Sequence, residues 1–226
     1  MLIELLELLY PRICVACNEA LLNTEPDLCL ACQSTIPKIS TQPENRKTLE
    51  QLFYGRIPFD FVVALYSFDK KGMVQRIIHH IKYNNAINLA YLLGIWLGEE
   101  MLSNQIHWSG DYVVPVPLHI KKLKQRGYNQ SASFAKGLAQ KLQIPLHTHL
   151  LHRTQHTRSQ TGMNKIRRWE NVKNAFQCSI DLSGKTIILA DDVLTTGSTI
   201  EACSRALTNA GAQTVNVAVM ASAFTH

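Results

Sequence analysis

The sequence predicts an α/β protein, a mainly parallel sheet with helices on both faces, preceded by a small cysteine-bearing module. Three observations carry that expectation. The run KTIILADDV, 185–193, is apolar without alternation, as strands buried on both faces are. Strand-like and helix-like periods alternate from residue 59 onward, an order that gives parallel sheets. Before residue 40, Cys14, Cys17, Cys29 and Cys32 fall into two C-x2-C pairs.

Along the chain, MLIELLELLYP opens as a short amphipathic helix. It has no positive leader, carries Glu4 and Glu7 and stops at Pro11, too short for a signal peptide or a membrane span. A soluble, cytoplasmic protein without membrane insertion is expected. The two C-x2-C pairs follow, separated by eleven residues that hold Asn23, Pro26 and Asp27, suited to a hairpin. Each pair puts two thiolates on one tight turn, and together they close a four-sulfur shell suited to structural Zn2+. A disulfide framework and redox cysteines are the alternatives; the first needs an oxidising compartment. Cys178 and Cys203 read as core thiols.

Residues 36–51, with two prolines and no clear period, read as a linker. The organisation is therefore 1–40 helix plus four-cysteine knuckle, 41–54 linker, and 55–226 the α/β domain. Within that domain FDFVVALYSFD, 59–69, is a strand by its β-branched and aromatic content. VQRIIHHI, 74–81, and AINLAYLLGIWLGEEML, 86–102, are helices by their period. DYVVPVP, 111–117, is a strand closed by its prolines. NQSASFAKGLAQKLQI, 129–144, keeps Phe134, Leu138, Ala139 and Leu142 at helical spacing. HTHLLH, 147–152, and NAFQCSI, 174–180, are short strands around a polar, basic insert. The strand 185–193 ends near Ala190, a helix starts at Thr199, and QTVNVAVMASA, 213–223, is the last strand.

Composition bounds what this domain does. With 46% hydrophobic and 18% charged residues, the chain has the makings of a packed core and not of a disordered segment. Its net charge of +6 is unevenly placed: 112–180 holds twelve Lys or Arg against Glu170 alone, while 1–51 holds four against seven acids. The cationic middle suggests an anionic ligand or nucleic acid, with a solvated face as the plain alternative.

Ligands of parallel sheets bind beyond the carboxyl ends of the strands. The stretch TIILADDVLTTGSTI, 186–200, lies there, with Asp191 and Asp192 at a strand tip and Thr195, Thr196, Gly197, Ser198 and Thr199 turning into a helix start. Free backbone amides and the helix dipole attract an anion at such a start. Paired carboxylates accept hydrogen bonds from a ribose diol and bind Mg2+ through its water shell. Ser198 and Glu201 also have capping-box spacing, which is a purely structural use of the pair.

I-I-L-A-D-D-V-L-T-T-G-S-T closely resembles the phosphoribosyl pyrophosphate motif of type I phosphoribosyltransferases. With VPVPLHIKKLKQRGYNQS, 114–131, LHRTQHTRSQTGMNKIRRWENVKNAF, 151–176, and the two knuckles, the chain resembles the ComF/GntX-type family, associated with bacterial DNA uptake in natural transformation. The resemblance implies a type I phosphoribosyltransferase fold with a small N-terminal zinc-ribbon-like module, and Zn2+ and Mg2+ as cofactors. It implies that Asp191 and Asp192 bind the ribose hydroxyls at the catalytic centre, and that the loop 195–199 grips the 5-phosphate. Leu118 to Arg126, holding Lys121, Lys122, Lys124 and Arg126, is expected as the pyrophosphate loop. A closing loop is expected at 155–171, with Arg158, Lys165, Arg167 and Arg168. In RGYNQ, Gly127 and Asn129 read equally as part of this site or as a turn and a helix cap. The acceptor-binding hood is expected within 54–82, with His79, His80 and Lys82 as candidates and the histidines equally explained as surface or core groups.

One departure bears on activity. Purine-type members of the fold often carry a carboxylate where this chain has Thr195, and a threonine is no general base near neutral pH. Two functions are therefore expected: a Mg2+-dependent phosphoribosyltransferase, or a competence factor that uses the fold to bind single-stranded DNA or sense a ligand. Lys121 to Lys173, with Tyr128 and Trp169, would suit a single strand. Around the knuckle Glu19, Glu25 and Asp27 oppose Arg12 alone, which favours a protein partner over phosphate; the resemblance suggests a helicase-like one.

Overall fold

The computed structural model describes residues 11–39, 43–69, 72–104, 108–153 and 175–223. The N-terminal helix expected over residues 1–10 lies outside them, as does the closing loop with Arg158, Lys165, Arg167, Arg168 and Trp169.

After the cysteine module, which ends in the short helix α1 (Leu30–Thr35), come α2 (Pro43–Gln51), β1 (Val62–Ser67), α3 (Met73–Tyr83), α4 (Ile87–Ser103) and β2 (Tyr112–Pro115). Then follow α5 (Ile120–Arg126), α6 (Gln130–Leu142), β3 (Leu151–Arg153), β4 (Phe176–Cys178), β5 (Thr186–Leu194), α7 (Ser198–Asn209) and β6 (Thr214–Ser222). Four strands form a parallel sheet in the order β1-β6-β5-β2, and β3 pairs antiparallel with β4. The fully buried Ile187 to Ala190 and Val215 to Ala221 occupy the two central strands, as mainly apolar runs should; the exception, Asn216, accepts from the Asp60 and Phe61 amides.

Apolar cores lie on both faces. One joins Ile188, Ala190, Ile77, Leu89, Leu93 and Phe134 from β5, α3, α4 and α6. The other joins Ile187, Leu189, Ile200, Cys203, Leu49 and Phe53 around α7 and α2. Helices α4 and α6 meet backbone to backbone: a Cβ at Gly94 would fall 2.1 Å from the Phe134 carbonyl oxygen, and one at Gly137 2.0 Å from that of Tyr91. Glycine in mid-helix costs about 1 kcal/mol against alanine, and close packing offsets it here. That contact fixes the line of α6, and so where its first turn points.

Four local expectations are corrected. Residues 43–51, read as part of a linker, are helical, because Leu49 and Phe53 are buried against the sheet. The expected pyrophosphate loop 118–126 is mostly the helix α5, stopped by Gly127 at φ +78°. The strand read as 147–152 is displaced to Leu151–Arg153, set by its pairing with β4. Strand β5 does not end near Ala190 but continues to Leu194, since β6 supplies partners as far as Ser222.

Candidate functional site

That last difference shapes the site. On one side β5 is paired with β2 as far as Ala190, while on the other it runs beside β6 for four more residues. Asp191 and Asp192 therefore stand past the end of β2, in the crevice of a parallel sheet where ligands bind. Asn129 caps α6, its Oδ1 accepting from the Ser131 N–H at 3.1 Å and its Nδ2 donating to the Val116 carbonyl at 3.0 Å.

The cap brings the next two residues onto the acids. Ser131 Oγ donates to Asp191 Oδ1 at 2.9 Å, and Gln130 Nε2 donates to Asp192 Oδ2 at 2.7 Å. The same Asp192 oxygen lies 2.9 Å from Lys82 Nζ, at the end of α3. Backbone amides complete the set, Asp192 N–H to Asp191 Oδ1 at 2.8 Å and Val193 N–H to Asp192 Oδ1 at 2.6 Å. Burial and the neighbouring Asp192 charge push Asp191 up to about 7, against the pull of the Asp192 amide, Ser131 and Lys82. Asp191 is therefore poised to change charge near neutrality.

The hydroxyl loop lies beyond. Thr195, Thr196, Ser198 and Thr199 are exposed, and Gly197 is buried at φ +75°, where it caps the twelve-residue α7. A Cβ at Gly197 would also fall 2.8 Å from the Phe53 ring, so the position excludes a side chain on two counts. The capping box suggested by Ser198 and Glu201 does not form. Glu201 instead pairs with Arg56 at 2.5 Å and Arg205 at 3.0 Å, and Ser198 Oγ lies 3.0 Å from Thr196 Oγ1. The first amides of α7 thus lie among exposed hydroxyls, at a helix start of the kind that attracts anions.

The predicted residues gather unevenly. Asp191, Asp192 and 195–199 are continuous in space as in sequence. Lys121, Lys122 and Lys124 are exposed on α5, which buries none of its residues, and Arg126 lies over the Tyr83 ring at 5.5 Å. In RGYNQ the structural reading of Gly127 and Asn129 holds, since they end one helix and cap the next. Gln130 and Ser131, beside them, had no place in the predicted site. A polar N1–N2 pair behind a cap at a strand's carboxyl end was the available signal. Of the hood candidates, Lys82 reaches the acids; His79 and His80 line a cleft of about 480 Å³ between α3 and the cysteine module.

In that module the sulfurs of Cys14, Cys17, Cys29 and Cys32 lie within 4.8 Å of one another, with Cys17 and Cys29 3.7 Å apart. Zinc–sulfur bonds of about 2.3 Å in a tetrahedron give edges of roughly 3.8 Å, so the cluster fits such an ion. Burial pushes the Cys14 thiol up, but backbone N–H groups of Cys29, Cys17 and Ala16 outweigh it and bring it to about 7, near thiolate formation. Arg76 of α3 donates through Nε to the Ala16 carbonyl at 2.9 Å, tying the module to the helix that carries Lys82.

Comparison with known proteins agrees with this geometry. Residues 129–223 match the family described as phosphoribosyl transferase domain. The chain is 27% identical over 218 residues to competence protein F of Haemophilus influenzae, covering 90% of this chain and 94% of that one. It is 31% identical over 145 residues to the DNA utilization protein YhgH of Escherichia coli strain K12, covering 62% of this chain and 63% of that protein, just under two thirds of its length. A solved glutamine phosphoribosylpyrophosphate amidotransferase from B. subtilis aligns at a TM-score of 0.44 and 21% identity, over 65% of this chain and 30% of that one. Residues 129–223 are thus similar to a phosphoribosyl transferase domain, in a chain that has a parallel sheet and a four-cysteine cluster ahead of it. Over nearly its whole length the chain is similar to competence protein F, and over the part given above to YhgH.

Proposed function

We propose that the chain binds phosphoribosyl pyrophosphate together with Mg2+ and serves the handling of DNA during uptake. The observation that carries the reading is the acid pair set beside a hydroxyl-rich helix start at the end of one strand. Asp191 and Asp192 would accept the ribose hydroxyls; the amides and hydroxyls of 195–199 would hold the 5-phosphate. The acids are hard oxygen donors, already hydrogen-bonded at three of their four oxygens, which suits Mg2+ held through its waters. When bound, the ion would supply charge neutralisation for a departing pyrophosphate. The chain's own residues hold the sugar: Gln130 and Ser131 fix the rotamers of the acids, and Gly197 lets the backbone approach the phosphate. Such an arrangement orients the anomeric carbon for displacement of pyrophosphate.

Calorimetric titration and thermal melting test this. Phosphoribosyl pyrophosphate with Mg2+ should raise the melting temperature, and the Asp191→Asn/Asp192→Asn variant should lose the shift. No binding by the wild type would sink the reading.

The cysteine cluster is read as a structural Zn2+ site, with no open position for chemistry. The similarity to competence protein F and YhgH supports the role in DNA uptake. A second reading, single-stranded DNA binding, is favoured by the exposed lysines of α5. It predicts affinity that falls steeply with salt and drops on charge reversal at Lys122 and Lys124; affinity untouched by both would remove α5 from any such role.

A further inference from the structure

Lys82 comes to the acid pair from α3, outside the segment 129–223 that matches the phosphoribosyl transferase family. Its ammonium shares Asp192 Oδ2 with Gln130, and the side chains of Lys82 and Asp192 are only 22% and 14% exposed. The position is held from behind, where the Tyr128 hydroxyl donates to the carbonyl of Ile81. A pair so withdrawn from solvent is weakly screened, and its lysine bears directly on any second cation.

A hydrated divalent ion arriving alone would have to displace this ammonium or sit beside it against its charge. The same ion carried by a pyrophosphate arrives as a net anion, which the ammonium attracts. We propose that Lys82 is the built-in counter-ion of Asp191 and Asp192, and that it makes metal binding conditional on a polyanionic ligand. The identity of that ligand rests on the sugar-phosphate reading; the counter-ion role rests on the chain's own charges.

The test uses Mn2+ as a spectroscopic substitute for Mg2+, followed by electron paramagnetic resonance on the full chain supplied with zinc. Without phosphoribosyl pyrophosphate the wild type should leave Mn2+ free. Lys82→Met should bind it at least about tenfold more tightly than the wild type, since one positive charge has left a half-buried acid pair. Lys82→Arg should behave as wild type, and adding Asp192→Asn to Lys82→Met should abolish the gain.

Folded Lys82→Met that takes up no more Mn2+ than wild type overturns the proposal. So does wild-type protein that binds Mn2+ unaided in a manner abolished by Asp192→Asn. If Lys82→Met does not melt cooperatively, Lys82→Gln is judged by the same criteria. Phosphoribosyl pyrophosphate added to the wild type should make Mn2+ binding appear. If it does not, while Lys82→Met still gains Mn2+, the sugar-phosphate reading fails and the counter-ion role stands.

Discussion

Asp191 carries the heaviest electrostatic load in the structure's candidate site. Its carboxyl is raised from an ordinary value of 3.8 to about 7 by burial and by Asp192. The folded protein therefore holds a proton that the unfolded chain releases between those values. Stability from this group is complete below about pH 4 and declines as pH rises to 7. Asp191→Asn removes that decline, so its melting temperature relative to wild type should rise between pH 5 and pH 8. Ligand binding should move oppositely, because ribose hydroxyls and a hydrated cation both prefer the ionised acid. Affinity for phosphoribosyl pyrophosphate should increase through pH 7 in the wild type and change less in Asp191→Asn. A variant whose stability difference is flat across this range would show that Asp191 does not titrate there. The two acids were legible from their spacing before a hydroxyl loop; their partners Gln130, Ser131 and Lys82, some 60 and 110 residues upstream, were not, since no local pattern encodes which helix turn crosses a strand end.

Between elements, the loop ahead of α7 depends on a segment distant in sequence. Phe53 and Arg56, just after α2, pack over Gly197 and pair with Glu201. Gly197→Ala would meet both a positive φ and the Phe53 ring, at a cost of about 2 kcal/mol or more. In a chain of this length that corresponds to a melting temperature lowered by about 5 °C, together with loss of the ligand-induced shift. A melting temperature within about 1 °C of wild type would mean that the ring gives way and the turn tolerates a side chain. Helix and strand types were readable along most of the chain from period and composition. The misreadings at 43–51, at β3 and at the end of β5 fall where tertiary partners decide: Leu49 and Phe53 pull a polar stretch into a helix, β4 sets the place of β3, and β6 prolongs its neighbour. Helix α5, which buries none of its residues, is instead bounded locally by His119 and Gly127.

Across the whole molecule, the cysteine module and the α/β body share a core. Cys14, Ala16, Leu28, Cys32 and Ile36 are buried together with Phe61, Ile77 and Leu89. Among the described residues no helix is long and apolar enough to cross a membrane. Metal removal should then be felt beyond the module. Chelation, or Cys32→Ser, should lower the main unfolding transition by several degrees, with weaker binding of phosphoribosyl pyrophosphate through the Arg76 contact to α3. A separate low-temperature transition, with the main one and the binding unchanged, would show that the module folds independently of the body.

What the sequence determined by itself is local and chemical. It encodes the four-sulfur set, the buried central strand and the acid pair ahead of a hydroxyl loop, because each is a short run whose spacing matches one backbone geometry. What only the tertiary structure decided is which groups meet the acids. That depends on β2 stopping at Pro115, on Gly94 and Gly137 letting α4 and α6 touch, and on α3 ending beside the crevice. These are distances between elements far apart in the chain, set by how volumes pack and not by any period that the residues repeat.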